Sequence, residues 1–227
     1  MGKPDIIYED NDIIICYKPA GIATQTRRIG QQDMESFIRN YRAAKNEPPY
    51  VGIVHRLDQP VEGVMVFAKN QKAAASLSRQ IKEHTTEKYY RAASRGQGVS
   101  GAAVEDEEAW HTLTDYISFD KRTNTSKITS EKDRLAKKAV LQYRVISVTP
   151  DRDSSQNECI RTEFDIKLLT GRHHQIRLQL ANIGYPLIGD TKYGRTGGGV
   201  REQLALCSYK LVFDHPATGE RMTFELP

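Results

Sequence analysis

The chain reads Ile53-Val54-His55-Arg56-Leu57-Asp58 and continues Gln59-Pro60-Val61-Glu62-Gly63-Val64-Met65-Val66-Phe67-Ala68. Two apolar runs flank a polar turn with proline and glycine, so one carboxylate, Asp58, falls on a loop between buried segments. An arginine and a histidine stand beside it. A carboxylate held by rigid strands and kept ionised by cationic neighbours has the properties of a nucleophile or proton acceptor. Alone, the loop has a plainer reading, because aspartates ahead of glycine or proline are mostly turn formers. His-Arg-Leu-Asp is also close to the His-Arg-Asp of protein kinases. The chain lacks the glycine-rich loop, the Val-Ala-Ile-Lys strand and the Asp-Phe-Gly of that class.

Apolar runs at 6–8 and 13–17, separated by Glu9-Asp10-Asn11-Asp12, predict a strand, a turn and a second strand. Met34, Phe37, Ile38 and Tyr41 recur at helical spacing behind Asp33, a good N-cap, and predict a helix over 34–43 that ends before Pro48-Pro49. Residues 63–68 read as a buried strand, with Asn70 capping a helix through Ala74, Leu77 and Ile81. From Ser94 to about Ala109 the chain reads as a surface excursion, with the acidic run Glu105-Asp106-Glu107-Glu108 as a solvated loop. Residues 138–148 predict a strand and 151–158 a polar turn. Phe164, Ile166 and Leu168 alternate as a strand buried on one face, which Gly171 stops. Ile176, Leu180 and Ile183 predict a helix closed by Gly184, and 209–213 with 222–226 a closing hairpin. No regular β-α-β rhythm appears. The expectation is an α+β fold with a mixed, largely antiparallel sheet and flanking helices, as one domain over 1–227.

Of 227 residues, 38% are hydrophobic and 27% charged, a balance that folds around a sizeable core. No apolar stretch approaches the roughly 18 residues of a membrane span, and the first residues form no hydrophobic signal region. The three cysteines, Cys16, Cys159 and Cys207, form no Cys-x-x-Cys pair. That usage argues against a disulfide framework or zinc site and for a cytoplasmic protein. The net charge of +4 allows a polyanionic partner, with Arg27-Arg28, Lys121-Arg122, 132–138 and 172–177 as local basic stretches.

Several segments together are similar to one family. They are Ile7-Tyr8-Glu9-Asp10-Asn11-Asp12-Ile13, Tyr17-Lys18-Pro19-Ala20-Gly21, Val54-His55-Arg56-Leu57-Asp58 with Gly63, and Lys88-Tyr89-Tyr90-Arg91-Ala92. Next come Thr170-Gly171-Arg172-His173-His174-Gln175-Ile176-Arg177 and Gly189-Asp190-Thr191-Lys192-Tyr193-Gly194. His215-Pro216-Ala217-Thr218-Gly219 closes the series. In this order they resemble the RluA-type pseudouridine synthases over nearly the whole chain.

The resemblance implies an enzyme that isomerises uridines in ribosomal or transfer RNA, without cofactor or metal, with the pseudouridine synthase type of fold. It makes Asp58 the catalytic carboxylate, Tyr90 the ring that stacks on uracil and offers a hydroxyl, and Arg177 the cation paired with the aspartate. Arg56 would help displace the target base, and His55, Arg172 and His174 would contact RNA. Tyr89 is the rival for Tyr90, since neighbouring strand residues face opposite ways. His173 would share a helix face with Arg177. It departs from the family's commoner Thr or Ser. As adjacent helical residues, His173 and His174 would diverge, so no metal pair is expected. Gln59-Pro60-Val61-Glu62 departs from the usual Lys-Asp-Thr-Ser kind of sequence. The likeness starts near residue 6, so RNA recognition is expected to rest on the catalytic domain, without an S4-type domain, a membrane or an obligate protein partner. The rival readings are a catalytically silent RNA-binding relative and a glycoside hydrolase using Asp58 with Glu62.

Overall fold

The computed structural model describes residues 4–26, 28, 30–96, 109–152, 156–194 and 202–227. Along the chain the elements are β1 (Asp5–Glu9), β2 (Ile13–Lys18), α1 (Met34–Ala44), β3 (Gly52–Ile53), β4 (Glu62–Ala68) and α2 (Gln71–Lys82). They continue with β5 (Glu87–Gly96), β6 (His111–Asp120), β7 (Thr125–Thr129), β8 (Lys137–Arg152), β9 (Glu158–Leu168), α3 (Gln175–Asn182), β10 (Leu206–Asp214) and β11 (Arg221–Glu225). The chain forms two compact units, Met1–Lys88 with Cys207–Pro227, and Tyr89–Leu206. Among the described residues no helix is long and apolar enough to cross a membrane.

In the first unit β2 has uninterrupted apolar sequence because residues Ile13 to Cys16 are all buried. It pairs antiparallel with β1 and β4, and β4 runs parallel to β10, which carries β11. The polar turn before β2 is made by Asp10, whose Oδ1 accepts the N–H groups of Asp12 and Ile13, both at 2.8 Å. Both predicted N-caps are present. Asp33 accepts from Ser36 N–H at 2.7 Å in a reciprocal capping box, and Asn70 accepts from Ala73 N–H at 2.8 Å. Helix α2 then lays Ala73 and Leu77 on Ile13, Ile15, Val64, Val66, Leu211 and Phe213. Burying each of the larger side chains contributes about 2 kcal/mol.

In the second unit β5, β9, β8, β6 and β7 form an antiparallel sheet in that order. Three boundaries differ from the sequence reading. The stretch read as a surface excursion still belongs to β5 as far as Gly96, and the acidic run 105–108 lies outside the described residues. Strand β8 runs on to Arg152, past the expected end at 148, because it keeps pairing with β9 as far as Arg152↔Glu158. The β6–β7 hairpin was not foreseen, although Leu113, Ile117 and Phe119 alternate. Helix α3 begins at Gln175 and is followed by Gly184 at φ 92°, in the expected capping place. The architecture is α+β, with largely antiparallel pairing and three helices.

Gly63 is the tightest point of the first unit. Its φ is +135°, and a Cβ there would lie 2.3 Å from the main-chain oxygen of Ser208 on β10. Both the conformation and the close approach demand glycine. Gly63→Ala is expected to cost about 2 kcal/mol or more. Urea unfolding measures this, and a loss under about 0.5 kcal/mol, the size of an ordinary surface change, would contradict the described approach of β10.

Candidate active site

The loop between β3 and β4 is built around Leu57, which is buried while Arg56 is exposed and Asp58 half-buried. Thr24 clamps it in both directions: Leu57 N–H donates to Thr24 Oγ1 at 3.2 Å, and the hydroxyl donates to Leu57 C=O at 2.9 Å. Leu57 is thus the packing residue of the triplet. The turn after it is closed by the main chain, Val61 N–H donating to Asp58 C=O at 3.0 Å.

A second tie comes from Lys18, at the end of β2. Its side chain is fully buried, and Nζ donates to the carbonyls of Ile22 at 2.7 Å, Pro19 at 3.2 Å and Gln59 at 3.2 Å. Burial pulls its pKa down to about 8, while the Asp58 and Glu62 carboxylates act in the opposite sense. The ammonium therefore holds the residue after Asp58 and is the electrostatic neighbour of Asp58 itself. Gln59 reinforces the tie, exchanging hydrogen bonds with Gly21 through its main-chain oxygen (2.8 Å) and its side-chain amide (3.0 Å). Glu62 accepts the Tyr17 hydroxyl at 2.9 Å. Two of the four residues that depart from the family pattern thus have structural work.

His55 anchors the other end. Its Nε2 accepts Val66 N–H from β4 at 3.1 Å. Burial, helped by the Lys88 cation, pushes its pKa down to about 3. The residue keeps some solvent-accessible surface, but a ring nitrogen that accepts an amide proton cannot also be protonated, so the ring is neutral.

The second unit supplies the other expected residues. Tyr90 is buried on β5 opposite Ile166, and Tyr89 faces the other way with Lys167 Nζ 5.3 Å from its ring centre. Arg177 on α3 is 3% exposed. It forks onto Asp190, Nε to Oδ2 at 2.8 Å and Nη2 to Oδ1 at 2.6 Å. Asp190 Oδ1 also accepts the N–H groups of Lys192 at 2.8 Å and Tyr193 at 3.1 Å. Burial raises the Asp190 pKa, but Arg177 and these donors outweigh it and leave the carboxyl below its usual range.

The segment ahead of α3 corrects the sequence reading. His173 and His174 precede the helix, and His174 has φ 54° in the left-handed region. His173 and Arg177 therefore share no helix face. The two imidazoles do not diverge but stack, with centres 3.7 Å apart. His174 is only 7% exposed, with Nδ1 2.9 Å from the Tyr193 hydroxyl. Burial and the nearby Arg177, His173 and Lys192 lower its pKa to about 3, against a small opposing effect of Asp190. Expected at the RNA surface, it sits inside. Arg172 is half-buried and its Nε donates to Lys138 C=O at 2.8 Å.

Asp58, Arg56 and His55 thus lie in the first unit, and Tyr90, Arg172, His174 and Arg177 in the second. Sequence reasoning gave no role to Lys18, Thr24, Asp190 or Tyr193. Among the described residues one trio of candidate metal ligands gathers, Asp10, Asp12 and His215. Asp10 is engaged by Tyr8, two amides and His215, and Asp12 by Asn70, so the trio reads as a turn clasp.

The family described as RNA pseudouridylate synthase matches residues 12–182. An RNA pseudouridine synthase of Bacillus subtilis is 32% identical over all of this chain and 69% of its own length. Ribosomal large subunit pseudouridine synthase D of Vibrio cholerae is 32% identical over 98% of this chain and 67% of its own. The structure of human RNA pseudouridylate synthase domain containing 1 superposes with a TM-score of 0.75 at 24% identity, covering 99% of this chain and 83% of that one, which shows the same type of fold.

The two neutral histidines set a pH dependence. Each folded pKa, about 3, lies below the ordinary value of 6.5. Below that value the unfolded chain takes up protons that the folded chain refuses, so stability falls as pH drops from 6.5 towards 3. The urea midpoint is expected to decline between about pH 7 and pH 5, and less steeply in a His55→Gln/His174→Gln variant. Equal slopes in both proteins would refute the buried neutral histidines.

Proposed function

The chain belongs to the RNA pseudouridylate synthase family, and on that premise we propose that Asp58 is its catalytic carboxylate, acting on uridines of ribosomal or transfer RNA. The family's reaction breaks the N1–C1′ bond of a uridine, turns the uracil and joins C5 to C1′. Asp58 supplies the nucleophile or proton acceptor that this exchange needs. The observation that carries the reading is the double restraint on its loop, by the Thr24–Leu57 pair on one side and by Lys18 on the other. A carboxylate fixed in this way loses little entropy on reaching the reactive geometry.

Tyr90 is assigned the ring that stacks on uracil and the hydroxyl that moves a proton, and its place on the buried face of β5 suits that better than Tyr89. Arg177 is assigned the cationic role, with Asp190 fixing its rotamer. Arg56 is exposed beside Asp58 and fits the opening of the RNA helix. His55 and Arg172 are kept as RNA contacts, each with one ring or guanidinium nitrogen held by main chain. His174 supports that surface from beneath. The family match runs through the boundary at Lys88, so both units are read as one catalytic domain. Relatives named for the ribosomal large subunit place ribosomal RNA ahead of transfer RNA, and a cytoplasmic site of action follows.

Asp58→Asn is expected to lower tritium release from RNA carrying 5-tritiated uridine by about a thousandfold or more, with RNA affinity kept. Substantial turnover in that variant would remove Asp58 from the chemistry. Mapping pseudouridines in cells with and without the protein should show sites lost from large-subunit ribosomal RNA. Losses confined to transfer RNA would reassign the substrate.

A further inference from the structure

Residues 120–138 run from the end of β6 through the β7 hairpin into β8, and carry seven lysines and arginines against three acids. The acids are occupied. Asp120 accepts the main-chain N–H of Arg122 at 2.8 Å, and Asp133 that of Leu135 at 2.9 Å. Glu131 accepts the Tyr116 hydroxyl. The cations are not. Lys121 and Arg122 at the turn, Lys127 on β7, Lys132 and Arg134 in the next turn, and Lys137 and Lys138 at the start of β8 are all exposed. Among the described residues none of them joins an ion pair or donates a side-chain hydrogen bond. Buried or half-buried cations elsewhere, such as Arg42, Lys69, Arg95 and Arg177, are all paired.

This charge is carried on a fastened element. Phe119 packs its ring 4.2 Å from His173, which stacks in turn on His174. Ser126 Oγ donates its one proton to His173 C=O at 2.9 Å and so accepts from His173 Nδ1 at 3.0 Å. Ser126 N–H donates to the Tyr193 hydroxyl at 2.7 Å, and Lys192 Nζ donates to Asn124 C=O. The hairpin is thereby tied to the segment that holds Arg172 and Arg177. His173, the departure from the family's small residue, is the centre of that joint.

We propose that the β6–β7 hairpin is a second RNA-binding element, taking backbone phosphates on Lys121, Arg122 and Lys127. The inference rests on the reading that the chain acts on RNA. A row of unpaired cations on a rigid support fits a polyanion of regular charge spacing, and the half-exposed Phe119 beside it offers a surface for a base.

The test compares two charge-matched triple variants, Lys121→Ala/Arg122→Ala/Lys127→Ala and Lys72→Ala/Arg79→Ala/Lys82→Ala, the latter on exposed positions of α2. Binding of a fluorescently labelled RNA stem-loop is followed against potassium chloride. The hairpin variant is expected to bind about tenfold more weakly at moderate salt and to lose about two from the slope of log affinity against log salt. Its turnover at saturating RNA should stay within about twofold, since phosphate contacts position the RNA and do no chemistry. The α2 variant should match the parent. Parental binding by the hairpin variant, or equal weakening of both, would overturn the proposal. If the parent binds RNA but forms no pseudouridine, the proposed reaction fails and the hairpin result still stands.

Discussion

A lysine ammonium with no access to water must be surrounded by oxygen. The fold of the first unit around Asp58 follows from how Lys18 meets that demand. Three carbonyls converge on Nζ, two from the turn that follows β2 and one from the residue after Asp58. Neither segment can move without leaving a buried charge unsolvated, a penalty of several kcal/mol. Thr24, two residues beyond the turn, takes both main-chain groups of Leu57. The loop is therefore held by polar contacts beneath it, and its outward side is left to Arg56 and Asp58.

The second unit solves a related problem inside a helix. Ile176 and Leu180 look like the core stripe of α3, with Gln175, Arg177 and Gln179 on the wet side. In fact all five are buried. The glutamines survive there because they form a chain: Thr170 Oγ1 and Arg172 N–H donate to Gln175 Oε1, Gln175 donates to Gln179, and Gln179 donates to Asp115 on β6. Every amide atom in that chain has a partner, which is the condition for burying polar groups without loss. The same chain fixes the entry to α3 and so the place of Arg177.

These cases show what could be read in advance. Apolar runs revealed β2 and β4, helical spacing revealed α1 and α2, and Asp33 and Asn70 announced their own caps, because each signal is local. The linear order of short motifs placed Asp58, Tyr90 and Arg177 in one family. Lys18 and Asp190 stood inside quoted motifs without a role. Their importance comes from long-range partners, Gln59 for one and Arg177 for the other, that spacing does not encode. The β6–β7 hairpin escaped because its alternation is diluted by threonines and lysines. The left-handed His174 escaped because nothing in a His-His pair marks the end of a loop.

The first unit is assembled from two separated pieces of chain, and that has a consequence for how the protein is made. Leu211 and Phe213 of β10 complete the core that Ile13, Ile15, Val64 and Val66 begin. A ribosome must synthesise all of Tyr89–Leu206 before those residues emerge, a wait on the order of ten seconds at ordinary elongation rates. Until then the β10 side of β4 is unpaired, an open sheet edge lined by one of the most apolar stretches in the chain. Biogenesis thus places a demand that the finished molecule hides: the nascent chain needs a chaperone, or a fast-folding second unit, to bridge the interval.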